Sequence, residues 1–283
     1  MSIAHSALLV DHSISVWSAR KKDKEATETL LAQNNASRDA ASVSKNLMAG
    51  TSLRKDISDY AAKCRARHTE MTIPWNDRGS RALPTSLFLD YKQEFDDRKA
   101  YFMKLVTEFV NTYPTLRMQA ANYHQALGNL YDPDDYPSVY EVREKFGYRV
   151  VFSPIAESGD FRLDVPQQQL EEVKAGYEEK FNSRLAEAMR EPWNRLHEMV
   201  VTLSEKVSSE SSRYNETFFP NALSMCSMLT HLNITKDPEL EKARRQLERI
   251  LTSGGSLESL KEDPHTRAEM KSDLDKILKQ YDW

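Results

Sequence analysis

The sequence predicts a mainly α-helical protein: a long antiparallel, coiled-coil-like helical arm, a small β-hairpin joint and a C-terminal helical tail. Three observations carry this prediction. Over two long stretches apolar residues recur at steps of three, four and seven, the mark of a one-sided helix. Between those stretches the period shortens to two, as in a strand. Among 283 residues only 8 are glycine, while 29% are charged and 40% hydrophobic. Such a composition suits long helices with thin apolar faces better than a compact sheet.

The first element, from about Ala7 to Trp17, places Leu8, Val10, Ser13, Ile14 and Val16 cleanly on neither period, so it reads as a strand or a short helix. A basic cluster follows, Arg20, Lys21, Lys22 and Lys24, and then a polar stretch where Leu30, Leu31, Val43, Leu47 and Met48 permit helices joined by a loop. A helix is expected over Ser52 to His68. TIPWNDRGSRALP ends it and, with two prolines and a glycine, reads as a loop.

From Pro84 onward Phe88, Tyr91, Phe95, Phe102, Leu105, Phe109 and Tyr113 form one helical stripe. Proline suits a first helical turn, where its missing N–H costs nothing. Pro114 is expected to bend or stop the helix, because it deletes a hydrogen bond and disfavours a helical Tyr113. A further piece, Leu116 to Leu130, closes at Gly128-Asn129 and the acidic turn YDPDDYP. Ser138 can cap a short helix reaching Phe146, and Gly147 can end it in the left-handed conformation. Tyr148, Val150 and Phe152 then alternate with Arg149, Val151 and Ser153, and Phe161, Leu163 and Val165 alternate again after a turn. Two short strands in a hairpin are the simplest reading.

The second stripe runs from Gln167 to about Ser211 through Leu170, Val173, Tyr177, Phe181, Leu185, Ala188, Leu196, Met199, Leu203 and Val207. At about 1.5 Å per residue it reaches roughly 65 Å, with Pro192 expected to kink or divide it. The two stripes are natural antiparallel partners. In the tail, Asp237-Pro238 and Asp263-Pro264 each pair an N-cap aspartate with proline at the first helical position. They predict helices near 238–252 and 264–281, separated by Ser253-Gly254-Gly255. The chain thus divides into a basic N-terminal region over 1–83, a helical hairpin over 84–236 interrupted by the β-hairpin near 147–165, and two short helices over 237–283.

The chemistry is sparse. No apolar run reaches the roughly 18–20 residues of a membrane span, and the start lacks the charge order of an export signal, so a cytoplasmic protein is expected. Cys64 and Cys226 are far apart without a CxxC partner, which fits reduced thiols. There is no GxxxxGK[ST], no GxGxxG after a strand, no GxSxG, and His197-Glu198 has no second histidine at Val201. The seven histidines lack metal-ligand spacing. The turn Asp132-Pro133-Asp134-Asp135 lacks the glycine and closing glutamate of an EF-hand loop and reads as a solvated turn with aspartate caps. No catalytic residue, cofactor or metal is therefore assigned. A cryptic enzyme would need Tyr148, Arg149, Asp160 and Arg162 brought together by folding.

Two kinds of contact surface remain. Net charge is −4, yet residues 1–83 hold 13 Lys+Arg against 9 Asp+Glu, so the first third is basic and the rest acidic. Trp17 with Arg20, Lys21 and Lys22, followed by Arg65 and Arg67, interleaves an aromatic with cations, as single-strand nucleic-acid grooves do. For protein partners, Trp75, Arg78 and Arg81 in one loop and Tyr136, Phe146 and Phe161 in the joint are large or cationic anchors of the kind that dominate interfaces. The alternative for these residues is that they plug the ends of the helical arm.

The stretches VWSARKK, TIPWNDRGSRALP, LGNLYDPDDYPSVYEVREKFGYRV and SPIAESGDFRLDV occur in this order over about residues 8–165. In them the chain resembles domain-of-unknown-function family 3150 of tailed phages and some bacteria. The resemblance implies a phage or phage-like origin, hence an infected bacterial cytoplasm, and a helical protein with a small β element. It also implies a gene neighbourhood with MoxR-like AAA+ ATPases, one of which would be a partner. It transfers no activity and no functional residue. The leading expectation is a non-enzymatic helical scaffold or adaptor acting through protein–protein contacts or self-association. The alternative is a single-stranded nucleic-acid-binding accessory protein of phage replication or host takeover.

Overall fold

The computed structural model describes residues 3–76, 79–123, 127–156, 165–208, 216–253 and 257–283. The chain is mainly helical with small sheets, in the order β1 (Ala7–Ser15), β2 (Arg20–Asp23), α1 (Lys24–Gln33), β3 (Val43–Asn46), α2 (Leu53–Met71), β4 (Ile73–Pro74), β5 (Arg81–Pro84), α3 (Phe88–Tyr123), α4 (Val139–Glu144), β6 (Gly147–Ser153), α5 (Gln167–Ser208), α6 (Phe218–Leu232), α7 (Pro238–Ser253), α8 (Leu257–Glu262) and α9 (Pro264–Gln280). It forms two units from interleaved segments. The first takes residues 1–11, 69–91 and 151–283, the second 12–68 and 92–150.

In the first unit α5 lies mainly on α9, with α6 and α7 beside it. Leu196, Val200, Leu203 and Val207 of α5 are buried against Cys226 and Leu229 of α6, Leu247 and Leu251 of α7, and Met270, Leu274 and Ile277 of α9. Each such side chain contributes roughly 1.5–3 kcal/mol on burial. The C-terminal helices are therefore the partners of α5's stripe, the place that sequence periodicity assigned to the helix after Pro84. Both aspartate caps form as expected: Asp237 accepts from the Glu239 and Leu240 amides, Asp263 from those of His265 and Thr266.

Strand order in the main sheet is β4-β5-β1-β6. β1 pairs antiparallel with β5, Ala7 opposite Pro84 and Val10 opposite Arg81, and Ile73 of β4 faces Ala82. Within TIPWNDRGSRALP, expected as a loop, Ile73–Pro74 and Arg81–Pro84 are thus short strands, with the prolines at strand ends, where a missing N–H is tolerated. β6 forms where alternation predicted it, but its neighbour is β1. The expected hairpin partner, including Phe161, falls on residues 157–164, outside the described residues.

The second unit is organised by α3, whose Phe95, Phe102, Phe109 and Tyr113 are buried. Trp17 meets Phe109 at a tilt and Phe146 meets it edge-on, and Phe102 meets Tyr148. The Tyr113 hydroxyl donates to the Pro137 carbonyl at 2.9 Å. Ser138 and Glu141 form a capping box at the start of α4. Gly147 opens β6 near Ser15 and does not adopt the left-handed conformation expected of it. α3 continues through Pro114, as α5 does through Pro192. Neither proline stops its helix. The residues after the basic cluster form α1 flanked by two strands, β2 and β3, which periodicity did not show.

Candidate nucleic-acid-contacting ribbon

β2 and β3 pair antiparallel, with Arg20 opposite Asn46, Lys21 opposite Lys45, Lys22 opposite Ser44 and Asp23 opposite Val43. Side chains alternate across a strand, so this register sorts the basic cluster into two faces. One face carries Arg20, Lys22, Ser44 and Asn46, all exposed. The other carries Lys21, Lys45, Asp23 and Val43.

The second face is closed by its own carboxylates. Lys45 is buried, with its ammonium paired to Asp135, 3.4 Å from Asp23, and donating to the Leu130 carbonyl at 2.8 Å. Burial alone would depress this ammonium, but Asp135 and Asp23 raise its pKa overall. Asp23 also caps α1 by accepting from the Ala26 amide, the first cause of its lowered pKa. Asp135, expected as part of a solvated turn, instead has a side chain only 9% exposed. Asp132 does act as a cap, accepting from the Asp134 amide.

Beside Asp135 lies a cavity of about 290 Å³ within the same unit. Its walls are Leu47, Met48, Leu116, Leu127, Tyr131 and Tyr136, completed by the turn Ala49-Gly50-Thr51 and by Gln119 and Ala120. The Tyr131 and Tyr136 rings lie 5.7 Å apart. Tyr136 is buried, and among the described residues its phenol oxygen has no hydrogen-bond partner. Such an orphaned hydroxyl costs about 1–3 kcal/mol. Burial, then the nearby Tyr131 and Asp135, pushes its pKa up.

No family model, curated protein or solved structure matches the chain. Of the nucleic-acid candidates, Arg20, Lys21 and Lys22 are exposed on β2. Trp17 is corrected: it is 7% exposed, packed on Phe109 and Tyr113, and cannot offer a stacking face to a strand. Arg65 donates to the Ile14 carbonyl at 2.8 Å, and Arg67 grips Glu94 with two nitrogens, so both are structural.

The described protein-contact candidates are also interior. Trp75 is buried against Phe181 in the first unit, and Phe146 against Phe109 in the second. Tyr136 lines the cavity. Arg81 donates to the Thr72 hydroxyl and carbonyl, and its pKa is lowered by burial and then by Arg195. They stabilise the fold and are not free to anchor a partner. Arg78 and Phe161 lie outside the described residues. Of the conceivable catalytic set, Tyr148 is buried beside His12 and Phe102 and Arg149 is exposed, while Asp160 and Arg162 are not described.

Sequence reasoning missed Lys45, Asp23, Asp135 and Tyr131. The signal that could have found the first two is the Arg-Lys-Lys-Asp and Val-Ser-Lys-Asn pair itself, read as strands in register.

Proposed function

We propose that this chain is a non-enzymatic nucleic-acid-binding protein whose contact surface is the β2–β3 ribbon. The observation that carries the reading is the outward face Arg20, Lys22, Ser44 and Asn46, two cations and two hydrogen-bonding side chains without a carboxylate among them. Phosphate backbones are held by Lys and Arg together with Ser and Asn side chains, and a two-stranded ribbon is a shape that nucleic-acid grooves accept. Lys21, with its side chain 55% exposed, adds a third cation at the ribbon's edge. In the phage setting that the family resemblance implies, the role would be an accessory one in replication or host takeover.

A protein-adaptor reading keeps one specific support. On α4 Tyr140 is 73% and Val139 40% exposed, an apolar pair that a partner such as an AAA+ ATPase could cover.

Fluorescence anisotropy of a labelled oligonucleotide, titrated from low to high salt, tests the nucleic-acid reading. Binding that weakens linearly in log–log form, with a slope reduced by about 2 in the double variant Arg20→Ala/Lys22→Ala, is the expected outcome. No binding at low salt, or a double variant indistinguishable from the wild type, overturns it and leaves the adaptor reading.

A further inference from the structure

The nucleic-acid reading says where a backbone would lie but not what part of a strand this protein would recognise, and the cavity beside the ribbon bears on that. Asp135 links the two features. Its Oδ1 lies 3.8 Å from the Lys21 ammonium at the ribbon's edge, and the next residue, Tyr136, is a wall of the cavity.

Three properties restrict the occupant. The volume of about 290 Å³ lies at the small end of ligand sites, which suits one ring system and not an extended molecule. The walls combine two tyrosine rings with Leu47, Met48, Leu116 and Leu127, a lining for a flat, largely apolar face. The polar groups are few: the Tyr131 hydroxyl, the Thr51 and Gln119 side chains and the backbone of the 49–51 turn. At that turn Gly50 has a φ of +85°, a conformation glycine adopts freely, and the space where a Cβ would project is open.

We propose that this cavity receives a single unstacked nucleobase of a strand whose phosphates lie on Arg20, Lys21 and Lys22. The proposal rests on the ribbon being a nucleic-acid surface. It makes the protein selective for single strands or unpaired positions, because a base in a duplex is held in its stack and cannot enter. The Tyr131 ring supplies sequence-tolerant stacking, and the Gln119 side chain supplies hydrogen bonds to the base edge. Lys45 takes no part in binding, since Asp135 and Asp23 already occupy it.

The test compares a twelve-nucleotide single strand carrying one 2-aminopurine with a blunt duplex of the same length, using the whole chain. The wild type is expected to bind the single strand about tenfold more tightly than the duplex, with a change in 2-aminopurine emission. Ala120→Leu, which narrows the cavity, is expected to lose that preference while keeping duplex affinity. Gln119→Ala removes the polar group at the cavity wall and weakens the single-strand complex alone, which serves if Ala120→Leu melts early.

Equal affinity for both substrates, or cavity variants that bind the single strand as the wild type does, overturns the base-cavity proposal while the ribbon reading stands. Arg20→Ala/Lys22→Ala weakens both substrates. If that double variant changes neither, the ribbon reading fails, and the base-cavity proposal fails with it.

Discussion

Lys21 and Lys45 stand directly opposite each other across the β2–β3 ribbon, and Asp135 contacts both ammonium groups. Like charges facing across a strand pair are destabilising unless something neutralises them. Here the group that neutralises both comes from a turn far along the chain, so Asp135 ties the ribbon to the 131–136 segment, while Asp23 adds a second carboxylate at Lys45 alone.

Asp135→Asn leaves Lys45 buried with Asp23 as its remaining carboxylate. A stability loss of about 3 kcal/mol is expected, read as a lower denaturation midpoint at neutral pH. Lys45→Met leaves Asp135 and Asp23 without their shared ammonium and is expected to lose at least as much. Stability unchanged in both variants would show that the ion pair does not hold the turn.

His12 titrates far from its ordinary range. Its ring lies 4.8 Å from that of His68 and against Phe95 and Tyr148, and neither ring nitrogen has a hydrogen-bond partner among the described residues. Burial, followed by the charge of Arg65, lowers its pKa from 6.5 to about 4. Folding therefore favours the neutral ring, and the unfolded chain takes up the proton first. Stability falls as pH drops from about 6.5 to about 4 and is not further affected by this group below that. The loss amounts to about 2 kcal/mol after allowance for the ring's partial exposure. Subtracting the pH–stability curve of His12→Leu from that of the wild type should isolate this step; a flat difference would refute it.

Arg195 closes the C-terminal end of α2. Its guanidinium donates to the Thr69, Glu70 and Thr72 carbonyls at 2.7, 2.8 and 3.0 Å and pairs with Glu191 on its own helix. Arg195→Ala is expected to cost about 3 kcal/mol. Arg195→Lys should recover little, since an ammonium cannot reach three carbonyls and a carboxylate in the fixed fork of a guanidinium. Thermal melts of the two variants, compared with the wild type, decide it.

Both cysteines are buried free thiols, and burial pushes the Cys226 thiol up to about 11. At pH 8 only about one molecule in a thousand carries that thiolate. Alkylation of the native protein should therefore label neither cysteine within minutes, and denaturant should expose two. Rapid native labelling of one thiol would mean that its core opens locally.

Where the sequence was legible, the reason is length or capping chemistry. The α3 stripe repeats often enough for its period to be unmistakable, and the two Asp-Pro pairs marked α7 and α9 because cap and first turn are local. Pro114 does not stop its helix and Pro192 does not divide its own. A proline inside a helix costs about 3 kcal/mol, and the long runs packed on either side of these two, with Pro192 itself buried, outweigh that. β2 and β3 were illegible because four residues show only two alternations. The site was half legible: Arg20, Lys21 and Lys22 stood out as a cluster, whereas their division between two faces follows from a register with β3. Trp17 was placed at a contact surface, and Trp75, Tyr136 and Phe146 stayed open between anchoring a partner and plugging the fold, because an aromatic residue in a short irregular segment looks the same in either role.

The interleaving of the two units bears on how the protein forms during synthesis. The second unit has all of its segments once residue 150 has left the ribosome, but the first holds residues 1–11 and 69–91 in waiting until residues 151–283 follow. At about 5–20 residues per second that delay is roughly seven to twenty-seven seconds. For that time the β1–β5 pairing has to persist without Leu232, Ile234 and Ala188, the side chains that later cover Ala7 and Ala82. The nascent chain therefore passes through a stage in which one half is complete and the other exposes an uncovered strand pair, the kind of surface that holding chaperones occupy.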